Sequence, residues 1–192
     1  MTSRGEENGA ALSPPAEEAT PLRPMIYASL FAALTAAGAY LFVPIGPVPI
    51  VLQNLFVFLA GLLLGSRWGL ASVAVYLLAG ICGLPVFAGG TGGIGRFAGP
   101  TGGFLLGYLP VVFLVGWIAE RKPARMPRDV AAMALGAVAL YTCGVPWLMM
   151  VTGMPFEKAV AAGMLPFLAG DALKIAAAAL IAKSVRPVMR LK

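Results

Sequence analysis

The sequence predicts an all-α integral membrane protein with six transmembrane helices and both termini in the cytoplasm. Three features lead to this fold class: the apolar composition, the length of the apolar runs and the placement of the basic residues. Hydrophobic residues make up 59% of the chain and charged residues 11%. A soluble domain of this size could not bury so much apolar surface, so the composition favours a lipid environment.

Six apolar runs are each long enough to cross a hydrocarbon layer of ~30 Å as a helix. Because they take up most of the chain, we expect residues 25–192 to form a single membrane domain whose backbone polar groups are satisfied inside helices. Residues 1–24 are rich in Pro, Glu, Ser and Ala, a composition that predicts a disordered cytoplasmic tail. The runs are Met25–Val43, Ile50–Gly65, Trp68–Leu84, Gly103–Ala119, Val130–Met150 and Leu165–Ser184.

Lysine and arginine lie mainly in the segments that six spans would place on one side of the membrane. Short loops on the cytoplasmic side are enriched in these residues, so we assign this side to the cytoplasm. The membrane is expected to be the inner membrane of a bacterial cell. The opposite loops contain only Arg96 and Lys158. The residues on the cytoplasmic side are Arg4, Arg23, Arg67, Arg121, Lys122, Arg125, Arg128, Lys183, Arg186, Arg190 and Lys192.

Residue types exclude several kinds of chemistry. The chain has no histidine, which excludes Ser-His-Asp hydrolysis and His-Glu-x-x-His zinc sites. Cys82 and Cys143 lie inside apolar runs, where a cysteine usually only packs, and we expect no metal or cofactor. No Gly-x-x-x-x-Gly-Lys-Ser/Thr loop occurs, so ATP-driven work needs another subunit. The basic residues flank membrane spans without interleaved aromatic residues, which argues against nucleic-acid binding.

A glycine-rich loop, residues 84–103, separates runs three and four on the predicted outer side. It contains Gly-x-Gly-x-x-Gly at Gly90–Gly95, but this motif follows a transmembrane helix, whereas a dinucleotide fold requires a strand before it. The loop is longer than a helical hairpin needs, and its glycines permit tight curvature close to a ligand. We interpret it as a lid or pocket wall. A solvated linker is the alternative, although the apolar Val86, Ile94 and Phe97 argue against it.

Asp171 and Lys174 are charged residues inside run six. Insertion of an ionised group near the bilayer centre costs roughly 2.5 to 3.5 kcal/mol, so these groups need a compensating partner. Their spacing of three residues places them on one helix face. They either pair with each other as a structural ion pair or face a polar ligand together, and intramembrane charges more often mark a functional site.

Three further polar residues are candidates for the same pocket. Gln53 and Asn54 lie near the outer end of run two. Adjacent helical residues point about 100° apart, so we expect only one of the two to face the pocket, with hydrogen bonding between helices as the alternative role. Arg96 is the only basic residue of the glycine-rich loop. Its guanidinium could hold a carboxylate with two hydrogen bonds, or it could simply be a soluble interfacial group.

These segments together resemble the BioY family, the biotin-binding substrate-capture subunits (S-components) of energy-coupling-factor transporters. The resemblance extends roughly from Met25 to Ala182, and it depends on the order and spacing of several short motifs. The acidic N-terminal tail has no counterpart in it. The matching segments are Pro44–Gln53, Tyr76–Gly80, Gly83–Phe87, Gly99–Phe104 and Gly170–Lys174.

The resemblance implies a six-helix fold with a biotin pocket near the outer surface. It also implies a transmembrane coupling subunit and two ATP-hydrolysing subunits as partners. In this interpretation Asp171 accepts from a ureido N–H of biotin, Lys174 donates to the ureido oxygen and Arg96 holds the carboxylate. The family has polar groups in the loop before the arginine, where this chain has Ala88 and Gly89, so the carboxylate site departs from the family pattern there.

Small residues recur on one face of run one at Ala28, Ala32 and Ala36. Such a face lets another helix approach closely in lipid. Periodicity alone does not distinguish packing against the protein's own helices from docking of a partner. The resemblance favours docking, because the family contacts its coupling subunit through small residues of the first helix.

Two other functions also fit parts of the sequence. A secondary transporter or channel for a small organic acid would use intramembrane charges, although the chain is short and lacks a clear inverted repeat. A membrane-embedded enzyme could use one Asp beside one Lys for proton transfer. Ion-driven uptake without partner subunits would favour the first, and product formation from a bound molecule would favour the second.

Overall fold

The computed structural model describes residues 22–44, 46–121 and 125–189, which form helices joined by short segments. It agrees with the all-α prediction, and five of its helical segments are long and apolar enough to cross a membrane. The last of these five combines α6 and α7. The elements are α1 Leu22–Tyr40, β1 Phe42–Val43, β2 Ile50–Val51, α2 Gln53–Ile81, α3 Gly95–Ala98, α4 Gly102–Glu120, α5 Met126–Thr152, α6 Phe156–Gly163 and α7 Leu165–Val185.

The helix α2 contains two of the predicted runs and folds back on itself at Gly65. This residue has φ 79° and ψ −174°, which are not helical angles. Gln53 and Tyr76 are 23 residues apart, yet their side chains are 2.6 Å from each other, whereas a straight helix would separate them by about 35 Å. The element is therefore a hairpin of two antiparallel arms, residues 53–64 and 66–81.

Gly65 is required at the hairpin turn for two reasons. Its positive φ is readily available only to glycine, and a Cβ at this position would lie 2.1 Å from Oε1 of Glu120 and would displace that carboxylate from its hydrogen bonds. The Glu120 carboxylate accepts hydrogen bonds from the backbone N–H and the hydroxyl of Ser66, both at 2.8 Å. This carboxylate therefore fixes the turn to the end of α4 and satisfies a backbone donor at the start of the second arm.

The described elements differ from the predicted runs in several places. The helix α1 begins at Leu22, three residues before the predicted start, so the predicted disordered tail otherwise lies outside the described residues. Residues 42–43 and 50–51, predicted as helix, pair instead as the antiparallel strands β1 and β2. The prolines between them lack an N–H and interrupt helix formation. The short helices α3 and α6 were not predicted.

The alanine face of α1 lies inside the protein. Ala28 and Ala32 are buried in the core formed by the chain's own helices, and Ala36 packs against that core. In this arrangement a partner cannot contact Ala28 or Ala32, which corrects the predicted docking role of this face. The small side chains allow close packing of α1 on α2, as the internal alternative required. The exposed small residues of α1 are Ser29, Ala33 and Ala37.

Contacts among the loops place the glycine-rich loop and the β hairpin at the same end of the helical bundle. The hydroxyl of Tyr40 donates to the carbonyl of Pro85. A Cβ added to Gly89 would lie 3.6 Å from the Phe42 ring. The Gly65 turn and the Glu120 carboxylate lie together at the ends of their helices. One end of the helical bundle is therefore closed by the glycine-rich loop and the β hairpin, and the turn of α2 lies at the other end.

Candidate ligand-binding cavity

A cavity of about 740 Å³, with its open mouth included, lies between the glycine-rich loop and the helices. Pockets that bind small molecules are mainly apolar with a few placed polar groups. Here the apolar part comes from proline, valine, leucine and phenylalanine side chains. The lining residues are Pro47, Val48, Pro49, Val51, Gln53, Asn54, Phe87, Ala88, Thr91, Arg96, Thr101, Phe104, Leu105, Tyr108, Leu140, Tyr141 and Phe167.

A buried hydrogen-bond network connects the cavity wall to the two charged residues of α7. The Asp171 carboxylate accepts from Tyr141 Oη at 2.5 Å, from Lys174 Nζ at 3.0 Å and from Asn54 Nδ2 at 3.3 Å. Tyr108 Oη donates to Asn54 Oδ1 at 2.8 Å. Asp171 is 2% exposed and Lys174 7% exposed. The desolvation of both charges is therefore offset by the ion pair and by hydrogen bonds from three helices.

This arrangement differs from the direct ligand contacts predicted for Asp171 and Lys174. Neither residue lines the cavity, while Asn54, Tyr108 and Tyr141, which form the outer part of the network, do. The two charges thus form an ion pair behind residues that line the cavity. The carboxylate fixes one Asn54 N–H and the Tyr141 hydroxyl, and these groups are at the cavity surface.

Gln53 and Asn54 both line the cavity, which corrects the expectation that only one of them would. They occupy the first turn of α2, at the end of the helix. The cavity is wide enough there to meet two adjacent side chains that diverge by about 100°. Gln53 Nε2 donates to the Tyr76 hydroxyl at 2.6 Å, so its amide orientation is fixed by the second arm of α2.

Arg96 lies at the cavity within a folded turn of the glycine-rich loop. Its Nε donates to Thr91 Oγ1 at 2.7 Å and its Nη2 to the Ala88 carbonyl at 3.5 Å. The Thr91 hydroxyl in turn donates to the Ala88 carbonyl at 3.0 Å. The hydrogen bonds that Arg96 makes with described residues use Nε and Nη2, so Nη1 remains a donor for an anionic ligand.

The glycine-rich loop is held by Phe87, which agrees with a pocket wall better than with a solvated linker. The Phe87 ring packs edge-on against Tyr76 and Phe97, with centroids 5.6 and 5.7 Å apart. It also lies directly over Gly80, where a Cβ would be 2.0 Å from the ring. The Gly93 N–H donates to the Gly80 carbonyl at 2.7 Å. The loop backbone is thus attached to the end of α2.

Sequence reasoning missed the three tyrosines of the cavity region, Tyr76, Tyr108 and Tyr141. Each lies within an apolar run, and a buried tyrosine hydroxyl usually has a hydrogen-bond partner. That signal was available, but it did not identify the partners. Within the described ranges 22–44, 46–121 and 125–189, no group of three His, Cys, Asp or Glu side chains could hold a metal ion.

Comparisons with known proteins place the chain in a family. The profile of the BioY family matches residues 10–191, including part of the acidic tail. The biotin transporter BioY of Thermotoga maritima is 40% identical over 84% of this chain and 94% of its own length. The probable biotin transporter BioY of Pyrococcus horikoshii is 40% identical over 82% of this chain and 93% of its own.

A solved structure supports the same assignment. The crystal structure of the S-component for biotin from an ECF-type ABC transporter has a TM-score of 0.82 to this chain at 29% sequence identity. The match covers 86% of this chain and 92% of the other. Both the sequence relatives and the fold therefore lead to one conclusion: the chain belongs to the BioY family.

Proposed function

We propose that this protein captures biotin and mediates its uptake as the substrate-binding subunit of an ATP-driven energy-coupling-factor transporter. The relatives named as biotin transporters and the similar biotin S-component support this function. The observation that carries it is the mainly apolar cavity with two separate sets of polar groups. One set comes from the helices, and the other from the glycine-rich loop.

The cavity complements the three chemical parts of biotin. A ureido ring needs hydrogen-bond donors and acceptors, which Asn54, Tyr108 and Tyr141 supply from the helices. The thioether ring and the alkyl tail match the apolar lining. The carboxylate matches Arg96, whose guanidinium is already oriented by Thr91 and gives charge-assisted hydrogen bonds.

Asp171 and Lys174 contribute to the proposed site by orienting residues that contact biotin. The carboxylate accepts from both Asn54 and Tyr141, so it fixes the side chains that face the ureido ring. A buried Asp171 alone would be an uncompensated charge in the membrane. Lys174 supplies the compensating charge and donates to the carboxylate at 3.0 Å.

Calorimetric titration of the purified protein with biotin, desthiobiotin, thiamin and riboflavin tests the proposed substrate. We expect biotin to bind most tightly, desthiobiotin more weakly because it lacks the thioether ring, and the two larger aromatic vitamins not to bind. Tight binding of thiamin or riboflavin, or no binding of biotin, would contradict the assignment. Catalytic conversion of bound biotin would favour a membrane enzyme instead.

We further propose six membrane crossings in the bacterial inner membrane, with both termini cytoplasmic. The crossings are α1, the two arms of α2, α4, α5 and α7. Ser66 donates to Glu120 and Arg128 donates to the Ala119 carbonyl, and these contacts near the basic residues support a common cytoplasmic side. An impermeant thiol reagent on cells should label a cysteine at Ile94, which is 73% exposed, but not one at Arg125. The reverse pattern would invert the topology.

The partners proposed are a transmembrane coupling subunit and ATP-hydrolysing subunits, and the docking surface proposed is the exposed face of α1. Ser29, Ala33 and Ala37 repeat every four residues on that face, so a partner helix could approach closely. Ala33→Trp should leave biotin affinity unchanged and reduce co-purification with the coupling subunit. Ala176→Trp, on the exposed side of α7, is the matched control, and equal effects of both would remove α1 as the docking helix.

A further inference from the structure

One exposed face of α4 changes in chemistry along its length. Leu106, Phe113 and Trp117 are exposed on this face, and Arg121 follows one turn later at the helix end. The Arg121 guanidinium lies 3.4 Å from the centroid of the Trp117 ring. An apolar stretch followed by an indole and then a cation is the order found from the acyl region of a bilayer to its headgroups.

Basic residues surround this end of α4. Ser66 donates to the Glu120 carboxylate, and the exposed Arg67 and Arg121 are the next residues along the chain after these two. Arg128 is half-buried, donates from Nη2 to the Ala119 carbonyl at 3.0 Å and has a buried Nε without a partner in the described part of the chain. We call Arg67, Arg121, Arg125 and Arg128 the α4 corner.

The carboxylates closest to the α4 corner are already engaged. Glu120 accepts two hydrogen bonds from Ser66. Asp129 pairs with Arg186 at 2.5 Å. Residues 22–44, 46–121 and 125–189 contain two ion pairs, Asp171 with Lys174 and Asp129 with Arg186. The guanidinium groups of the corner therefore have no carboxylate partner within that part of the protein.

We propose that the α4 corner binds the phosphate of an anionic phospholipid, with the acyl chains along Phe113 and Leu106. A guanidinium group binds a phosphate through two parallel N–H donors. The Trp117 ring holds Arg121 at the depth where headgroups lie. Each basic residue near an anionic bilayer surface strengthens binding by about fivefold. The inference requires membrane insertion of α4 but not the identity of the transported molecule.

The test compares phosphatidylglycerol with phosphatidylcholine bound to the purified full-length protein, by native mass spectrometry at matched lipid concentrations. Arg121→Gln with Arg125→Gln removes two exposed charges of the corner and leaves the half-buried Arg128 in place. Arg23→Gln with Lys158→Gln removes the same net charge from exposed positions elsewhere. Glycerol phosphate added in excess distinguishes a lipid site from a site for a free phosphate ester.

The parent should bind phosphatidylglycerol in preference to phosphatidylcholine, and the corner variant should bind it about 25-fold more weakly. The control variant should remain within about twofold of the parent. Equal losses in the two variants, no preference for the anionic lipid, or displacement of the lipid by glycerol phosphate would each overturn the proposal. Biotin titration of the same samples reports separately on the proposed transport function, and it should give one affinity for all three proteins.

Discussion

A mutant cycle on Asp171 and Lys174 tests whether these charges orient the binding groups or contact the ligand. The variants are Asp171→Asn, Lys174→Met and the double variant. Both side chains are buried and 3.0 Å apart. Removing one member of such a pair leaves an uncompensated charge, which typically destabilises a protein by about 3–5 kcal/mol.

The stability effects should be unequal and strongly non-additive. Asp171→Asn leaves a buried ammonium and should lower the free energy of unfolding by the full 3–5 kcal/mol or so. Lys174→Met should cost less, because the carboxylate retains its hydrogen bonds from Asn54 and Tyr141. The double variant removes both charges and should be closer to the parent than Asp171→Asn is. Denaturant unfolding in detergent measures all four proteins.

Biotin affinity should follow a different pattern. Loss of the carboxylate removes a charged acceptor that fixes Asn54 and Tyr141, which is worth about 1.5 to 3 kcal/mol or roughly ten- to hundredfold in dissociation constant. The double variant should recover stability but not affinity, and should bind no more weakly than Asp171→Asn. Additive losses of affinity would mean that both residues contact biotin independently. An Asp171→Asn variant that binds like the parent would remove the network from the site.

Three other variants test separate parts of the cavity. Arg96→Ala should weaken binding of biotin by about tenfold or more and binding of a biotin amide much less, because only the acid presents a carboxylate; equal losses in titration would exclude that contact. Gly80→Ala should lower the free energy of unfolding by about 1–3 kcal/mol, because the added methyl group would overlap with Phe87. The control Gly95→Ala, with open space around the residue, should change the free energy of unfolding by less than about 0.5 kcal/mol. Tyr141→Phe should weaken biotin binding by about tenfold with a normal circular dichroism spectrum, and unchanged affinity would show that this hydroxyl is only structural.

The proposed binding site was only partly predictable from the sequence. Asp171 and Lys174 stand out because a charge inside an apolar run is costly. Arg96 stands out as the basic residue of an unusual loop. The partners of Asp171 were not predictable, since Asn54 lies 117 residues away along the chain and Tyr141 lies 30 residues away. Which hydroxyl or amide meets a buried carboxylate depends on how three helices are rotated and packed.

The sequence by itself determined the all-helical membrane fold, the approximate limits of the long helices and the clustering of basic residues. These properties depend on local composition and length, because each span satisfies its own backbone hydrogen bonds. Only the tertiary structure decided which helix faces are internal. Ala28 and Ala32 face the core while Ala33 faces outward, although all three are alanines. In lipid, an internal face and an external face are equally apolar, so periodicity carries no signal that separates them.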